Sequence, residues 1–306
     1  MSTGPVPGRG RAAARAGATM AVASMTCVQL GLAVAVLLFD RMGPEGAGWV
    51  RLVWAGVIFV LIARPRPWRL ARCSLLACIA LGVVTAGVTL QFMFAVERLP
   101  LGTASALEFL GPLGVAVARS KNRSALLWPL LAAVGVLLLT EPWHGRVDAV
   151  GVAFALGAAV CWALYILLTQ WVGDAVSGLE GLAISMPVAA VTATIVVGNI
   201  AIPRMSVENV LFGLALAVLL PVIPFALELS ALRRLTTAAF GTLMSLEPAI
   251  ALLLGLIVLS QVPGWWPVVG VLFVVAAGFG AERTGARDEG PPDPEVTAGE
   301  TQFVVP

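Results

Sequence analysis

Apolar runs recur along the whole chain, separated by short breaks rich in charge, glycine or proline. The runs are continuous rather than alternating, and most are as long as the roughly 20 residues that carry a helix across a bilayer core. They predict ten membrane-spanning helices. The first five cover 18–39, 47–63, 73–95, 102–118 and 124–140, and the second five cover 149–171, 180–201, 209–229, 237–260 and 265–281. A spanning segment has no water to satisfy its backbone, so helix is the form that continuous apolar runs take. The fold class expected is therefore an all-α polytopic membrane protein. The first run is too long for the apolar part of a cleaved leader and is followed by no small-residue cleavage site, so it reads as a retained span. Residues 1–17 precede it as a short Gly/Pro/Arg-rich segment. Residues 282–306, rich in Pro, Asp, Glu, Thr and Gly, read as a disordered tail.

Composition agrees with the pattern and adds orientation. Of 306 residues, 59% are hydrophobic and 12% charged, half the charged share of a soluble domain. Basic residues in cytoplasmic loops set the direction of insertion. Placing the N-terminus in the cytoplasm puts Arg9, Arg11, Arg15, Arg64, Arg66, Arg69, Arg72, Arg119, Lys121, Arg123, Arg233, Arg234, Arg283 and Arg287 inside. Arg41, Arg98, Arg146 and Arg204 fall outside, and Arg51 falls within a span. Both termini are then cytoplasmic, in the inner membrane of a bacterium. This bias accounts for the basic residues, so they give no support to nucleic-acid binding. Cys27, Cys73, Cys78 and Cys161 lie in apolar runs without metal-ligand spacing, and neither a metal nor a cofactor is expected. The oligomeric state has no signature in the sequence.

The chain also resembles itself. Ala95–Leu113 aligns on Ala231–Ala249 so that Ala95, Arg98, Leu99, Leu107, Leu110 and Pro112 meet Ala231, Arg234, Leu235, Leu243, Leu246 and Pro248. Trp128-Pro129 opens the fifth span as Trp266-Pro267 opens the tenth. Two repeats are predicted, 18–140 and 149–281. Each holds five helices, an odd number, so the second is inverted relative to the first. Inverted repeats around a midplane site are a transporter architecture.

Ionisable residues in lipid are costly, at least ~3 kcal/mol at the bilayer centre, and mark candidate sites. Four fall within spans: Arg51, Glu108, Glu228 and Glu247. Glu108 and Glu247 each stand beside a proline, Pro112 and Pro248, which kinks a helix and frees carbonyls. These two glutamates are the leading candidates for binding a substrate amine or a proton, with the prolines as hinges. Glu228 lies near the cytoplasmic end of its span. Arg51 lies near the outer end of its own and reads as a structural ion-pair partner. Gln29, Gln91, Ser105, Tyr165, Thr169, Thr242 and Ser245 are further polar groups that can line a cavity, although each has a helix–helix hydrogen bond as its alternative.

Three strings carry a resemblance: Leu99–Pro112 (LPLGTASALEFLGP), Cys161–Leu167 (CWALYIL) and Phe240–Ala249 (FGTLMSLEPA). With Pro224–Glu228 and Arg51-Leu52 they resemble the drug/metabolite transporter superfamily, EamA-type, and within it the threonine/homoserine exporter family. The resemblance covers about 18–281. It implies a ten-helix carrier that exports small amino acids or related metabolites, driven by proton exchange. Leu259-Ser260-Gln261 departs from the Gly-Glu usual there, and Val88–Met93 is poor in polar residues. Export of a cationic drug is an alternative, as is a passive channel or scaffold. An enzyme lacks support: the single histidine, His144, falls in a loop, and no nucleophile or metalloprotease motif occurs.

Overall fold

The computed structural model describes residues 7–119, 127–141, 148–176, 180–232, 234–235 and 237–285. Among them, repetitive structure is entirely helical. The helices are α1 (Pro7–Leu37), α2 (Phe39–Ala63), α3 (Arg72–Arg98), α4 (Leu101–Glu108), α5 (Leu110–Arg119), α6 (Leu127–Thr140) and α7 (Ala149–Ala175). They continue with α8 (Glu180–Ala201), α9 (Val207–Ala217), α10 (Ile223–Leu232), α11 (Thr237–Met244), α12 (Glu247–Leu259) and α13 (Trp265–Gly285). A π-helical turn, Val218–Val222, joins α9 to α10.

Among the described residues, seven segments are long and apolar enough to cross a membrane: Ala14–Leu37, Phe39–Ala63, Arg72–Arg98, Leu101–Ala118, Ala149–Val172, Glu180–Arg204 and Thr242–Leu259. Three shorter apolar helices, Leu127–Thr140, Val207–Leu220 and Trp265–Gly280, accompany them. The chain is thus a multi-pass membrane protein.

Helix bounds differ from the hydropathy pattern where polar residues are good helix formers. α1 starts at Pro7, well before the apolar run, because Arg11–Gly17 is mostly alanine and arginine, both favourable in a helix. α2 starts at Phe39 and bends at Gly43, whose φ of +72° suits glycine. α13 carries on to Gly285, four residues into the segment expected to be a disordered tail. The rest of that tail, Ala286–Pro306, lies outside the described residues, as do Lys121, Arg123, His144, Arg146, Arg233 and Arg287.

Helices pack closely where glycine lets backbones meet. A Cβ on Gly111 of α5 would run into the carbonyl oxygen of Ala159 on α7. Gly135 of α6 and Gly270 of α13 face each other, each lying against the other's carbonyl at 2.9 and 2.7 Å from an added Cβ. Gly102 of α4 admits the backbone of Leu252 on α12 at 2.8 Å. The resulting neighbours are α3 with α7 and α8, α1 with α10 and α12, α2 with α8 and α9, α4 with α12, and α6 with α13. The largest apolar core draws Leu32, Met42, Phe92, Leu101, Leu107, Ala158, Leu216 and Ala251 from these helices.

On one face, α2 exchanges charges with the α8–α9 connection and the first turn of α9. Arg41 pairs with Glu208 at 2.6 Å and Arg204 with Glu45 at 3.3 Å. Indole donors add to the seam, from Trp49 to Thr194 Oγ1 and from Trp54 to the Val210 carbonyl, each at 2.8 Å.

Candidate functional site

Two helices are interrupted at matching places, and proline explains both. A proline has no N–H and its ring displaces the carbonyl four residues earlier. Four residues before Pro112 is Glu108, where α4 ends; four residues before Pro248 is Met244, where α11 ends. The chain resumes as α5 at Leu110 and as α12 at Glu247, with Pro248 in its first turn. Glu108 is therefore the last residue before one break, and Glu247 the first residue after the other.

Gln29 of α1 bridges the two interrupted helices. Its Nε2 donates to Glu247 Oε1 at 3.1 Å and lies 3.5 Å from Ser105 Oγ on α4. Gln29, Ser105 and Glu247 are all buried, and so is Glu108. Two acceptors in this cluster, Gln29 Oε1 and Glu247 Oε2, meet no donor among the described residues. A buried polar atom without a partner costs on the order of 1–3 kcal/mol, so a pair of them at one junction calls for a donor.

A second polar contact lies along the same helix. Ser24, five residues before Gln29 and so about 7.5 Å away along α1, is buried and donates to Glu228 Oε1 at 2.9 Å, with the Pro224 carbonyl at 3.2 Å. Glu228 follows the π-helical turn in α10, a distortion that often accompanies functional sites. The carboxylates form an electrostatic chain: Glu247 feels Glu228, and Glu108 feels both Glu247 and Arg51.

The other expected residues are placed elsewhere or spend their polar atoms locally. Gln91 Nε2 contacts Cys161 Sγ at 3.2 Å and its amide rests on Gly157, so it couples α3 to α7. Tyr165 packs against the apolar cluster of Leu81, Val172 and Ile184, within electrostatic range of Glu228. Ser245 is buried in the turn before α12 and donates to the Thr242 carbonyl at 2.7 Å. Its hydroxyl thus caps a helix end. Beside the breaks, Phe109 meets Trp162 edge-on at 6.4 Å. Both line an apolar cavity of about 200 Å³ together with Pro112 and Met244.

Arg51 is half-buried on α2, and Glu108 is the charge that acts on it. Removing Arg51 leaves the buried Glu108 without the opposite charge that acts on it. Arg51→Ala is expected to lower the amount of folded protein in the membrane severalfold, read by fluorescence-detected size exclusion. A variant present at native levels but inactive would instead give Arg51 a direct part in transport.

Ser24 is the site residue that sequence reading misses. It shares α1 with Gln29 but lies five residues and so about 140° of helix turn away, and a lone serine in an apolar run has no distinguishing chemistry. Among the described residues, no three His, Cys, Asp or Glu side chains gather as a metal site would need.

The comparisons with known proteins converge on one group. The EamA-like transporter family model matches residues 149–281. The threonine/homoserine exporter RhtA of Salmonella typhimurium (strain LT2) is 36% identical over 276 residues, covering 87% of this chain and 90% of that protein. RhtA of Escherichia coli (strain K12) is likewise 36% identical, over 85% of this chain and 89% of its own length. An uncharacterized transporter of Clostridium kluyveri shares 21% identity over 215 residues. A solved crystal structure superposes with a TM-score of 0.56 at 16% identity, covering 88% of this chain and 99% of that one, which supports the fold. With a relative 36% identical across most of both chains, the protein belongs to the EamA-like transporter family and is similar to its threonine/homoserine exporters.

Proposed function

We propose that this protein is a proton-coupled exporter of small amino acids of the threonine/homoserine kind, working by alternating access around the Gln29–Ser105–Glu247 junction. The observation that carries the reading is the pair of buried acceptors, Gln29 Oε1 and Glu247 Oε2, that meet no donor among the described residues. A substrate ammonium group supplies up to three N–H donors and a positive charge, which suits an amide oxygen beside a carboxylate. The similarity to RhtA, named a threonine/homoserine exporter, supplies the amino-acid class.

The two carboxylates at the breaks take different parts. Glu247 opens α12 and so stands at the positive end of a helix dipole, whereas Glu108 closes α4 and stands at a negative end. Glu247 is the group that holds the substrate ammonium; Glu108 carries the coupling proton, with Arg51 as its ion-pair partner when ionised. Glu228 passes protons between this pair and the cytoplasmic side, with Ser24 orienting its carboxyl.

Ten spans in two inverted repeats, 18–140 and 149–281, provide the motion. Support comes from the helix neighbours: exchanging the first five spans for the second five turns the α3–α7 pairing into α1–α10, α3–α8 into α2–α9 and α5–α7 into α1–α12, while α2–α8 and α6–α13 map onto themselves. Pro112 and Pro248 serve as hinges, and the cavity of about 200 Å³ beside them gives apolar side chains room to shift. In this reading both termini, 1–17 and 282–306, face the cytoplasm.

The test is efflux of radiolabelled threonine and homoserine from preloaded cells with and without the gene, each with and without a protonophore. Gene-dependent efflux that stops with the protonophore is expected. Gene-dependent export of an amine lacking a carboxylate, in place of either amino acid, would move the reading to a cationic efflux carrier. Efflux indifferent to the protonophore would remove proton coupling.

A further inference from the structure

A second cavity, of about 710 Å³, opens where the α3–α4 turn, the end of α6, the start of α7 and the α12–α13 connection meet. Its volume falls within the ~300–1,000 Å³ range of small-molecule sites. Arg98, Asp148 and Glu141 all line it, so its wall carries both signs of charge.

The wall is built with some care for where its side chains point. Asp148 Oδ1 caps α7 by accepting from the Gly151 N–H at 2.8 Å, and Oδ2 meets Arg98 Nη1 at 3.4 Å. The cap, and after it the guanidinium, hold the Asp148 carboxyl below the usual range, so it stays ionised. That contact takes one arm of a guanidinium that has five N–H donors, and Asp148 is the one side-chain partner of Arg98 among the described residues.

Gln261 is fixed on a neighbouring part of the wall. Its Oε1 accepts from the Leu101 N–H, the first of α4, at 2.9 Å, which leaves its amide N–H₂ as the end that offers donors. Two non-glycine residues take left-handed backbone here, Glu141 at φ +42° and Ser260 at φ +53°. Such conformations cost of order 1–3 kcal/mol and concentrate at functional sites. They turn the chain so that Glu141 and Gln261 both line the cavity.

Resting on the transport reading above, we propose that this cavity is a second substrate station at the outer mouth of the carrier, which takes a free zwitterionic amino acid with its carboxylate on Arg98 and Gln261 and its ammonium on Glu141. It differs from the central junction in offering both signs of charge. It therefore selects for an intact amino acid, where the central pair of acceptors recognises the ammonium alone.

Val262 lines the cavity and is 82% exposed, which makes it a reporter. The full-length protein with Val262→Cys is labelled from outside intact cells with a membrane-impermeant maleimide, and the native chain with its four cysteines is the blank. External threonine is expected to slow labelling at least about fivefold, while 1-amino-2-propanol and 2-hydroxybutyrate, which each lack one charge, leave it unchanged. Adding Arg98→Gln or Glu141→Gln to the reporter removes protection but leaves the unprotected labelling rate, which shows that the cavity is still formed.

Protection by all three compounds alike, or protection that survives both charge-removing variants, overturns the zwitterion site. Threonine efflux is measured in the same cells. Gene-dependent efflux without protection at Val262 overturns the outer station alone. Neither efflux nor protection overturns the substrate reading and the station together.

Discussion

Glu247→Gln is expected to reduce gene-dependent amino-acid efflux by about ten- to hundredfold while leaving the protein at normal levels in the membrane. The substitution keeps shape and keeps an oxygen for the Gln29 amide, whose donation at 3.1 Å holds the two helices together. What it removes is the negative charge, and with it one of the junction's two unpartnered acceptors, Glu247 Oε2. A hydrogen bond to a charged group contributes roughly 1.5–3 kcal/mol, and each 1.4 kcal/mol is a factor of ten. Efflux from preloaded cells, normalised to membrane abundance, measures the loss. Native efflux from the Gln variant would show that the junction is a structural bridge with no part in binding.

Gly111→Val should do the reverse, removing the folded protein before activity can be assayed. The Cβ alone meets the Ala159 carbonyl oxygen, a backbone atom in the middle of α7 that no rotamer change can move aside. Overpacking a close-fitted position costs typically ~1–3 kcal/mol and occasionally more, and here two methyl groups follow the Cβ into the same gap. The expected result is aggregation or loss of the monodisperse peak in detergent, with little protein reaching the membrane. A monodisperse variant of native thermal stability would mean that α5 can slide away from α7 at little cost, and that their contact is looser than the packing implies. These two variants separate chemistry from architecture in neighbouring parts of the molecule.

Much of this architecture is legible along the chain. Continuous apolar runs locate where the helices end to within a few residues, and Pro112 and Pro248 stand at both interruptions, although Pro187 sits inside an unbroken α8, so a proline alone does not fix where a helix stops. Helix starts are less legible. Pro7–Gly17 is polar by composition yet helical, since hydropathy reports what lipid accepts while alanine and arginine report what the backbone prefers.

The site divides the same way. Glu108 and Glu247 stand out because carboxylates in apolar runs are rare. Their bridge does not, because Gln29 lies 76 residues from Ser105 and 218 from Glu247, and nothing local distinguishes it from Gln91, which instead contacts Cys161. Ser245 has the right neighbourhood but the wrong use: a hydroxyl at a helix end is satisfied most cheaply by the carbonyl three residues back. The outer cavity was out of reach for another reason. Glu141 and Gln261 line it through left-handed backbone at Glu141 and Ser260, and sequence gives little warning of that conformation outside glycine and asparagine.

The crossed ion pairs that join α2 to the α8–α9 connection and the first turn of α9 have a consequence of their own. Arg41, Glu208 and Arg204 are each at least half exposed at the side chain, and exposed pairs contribute only about 0–1 kcal/mol each. Such a seam sets how the two elements register against each other without binding them tightly, since water and dissolved ions can replace either partner at small cost. Its grip is therefore set from outside the protein: at ~0.1 M salt charges screen one another beyond about 10 Å, at ~1 M beyond about 3 Å. Salt in the medium bathing that face therefore weakens the charged part of the fastening, while the Trp49 and Trp54 hydrogen bonds of the same seam carry no charge to screen.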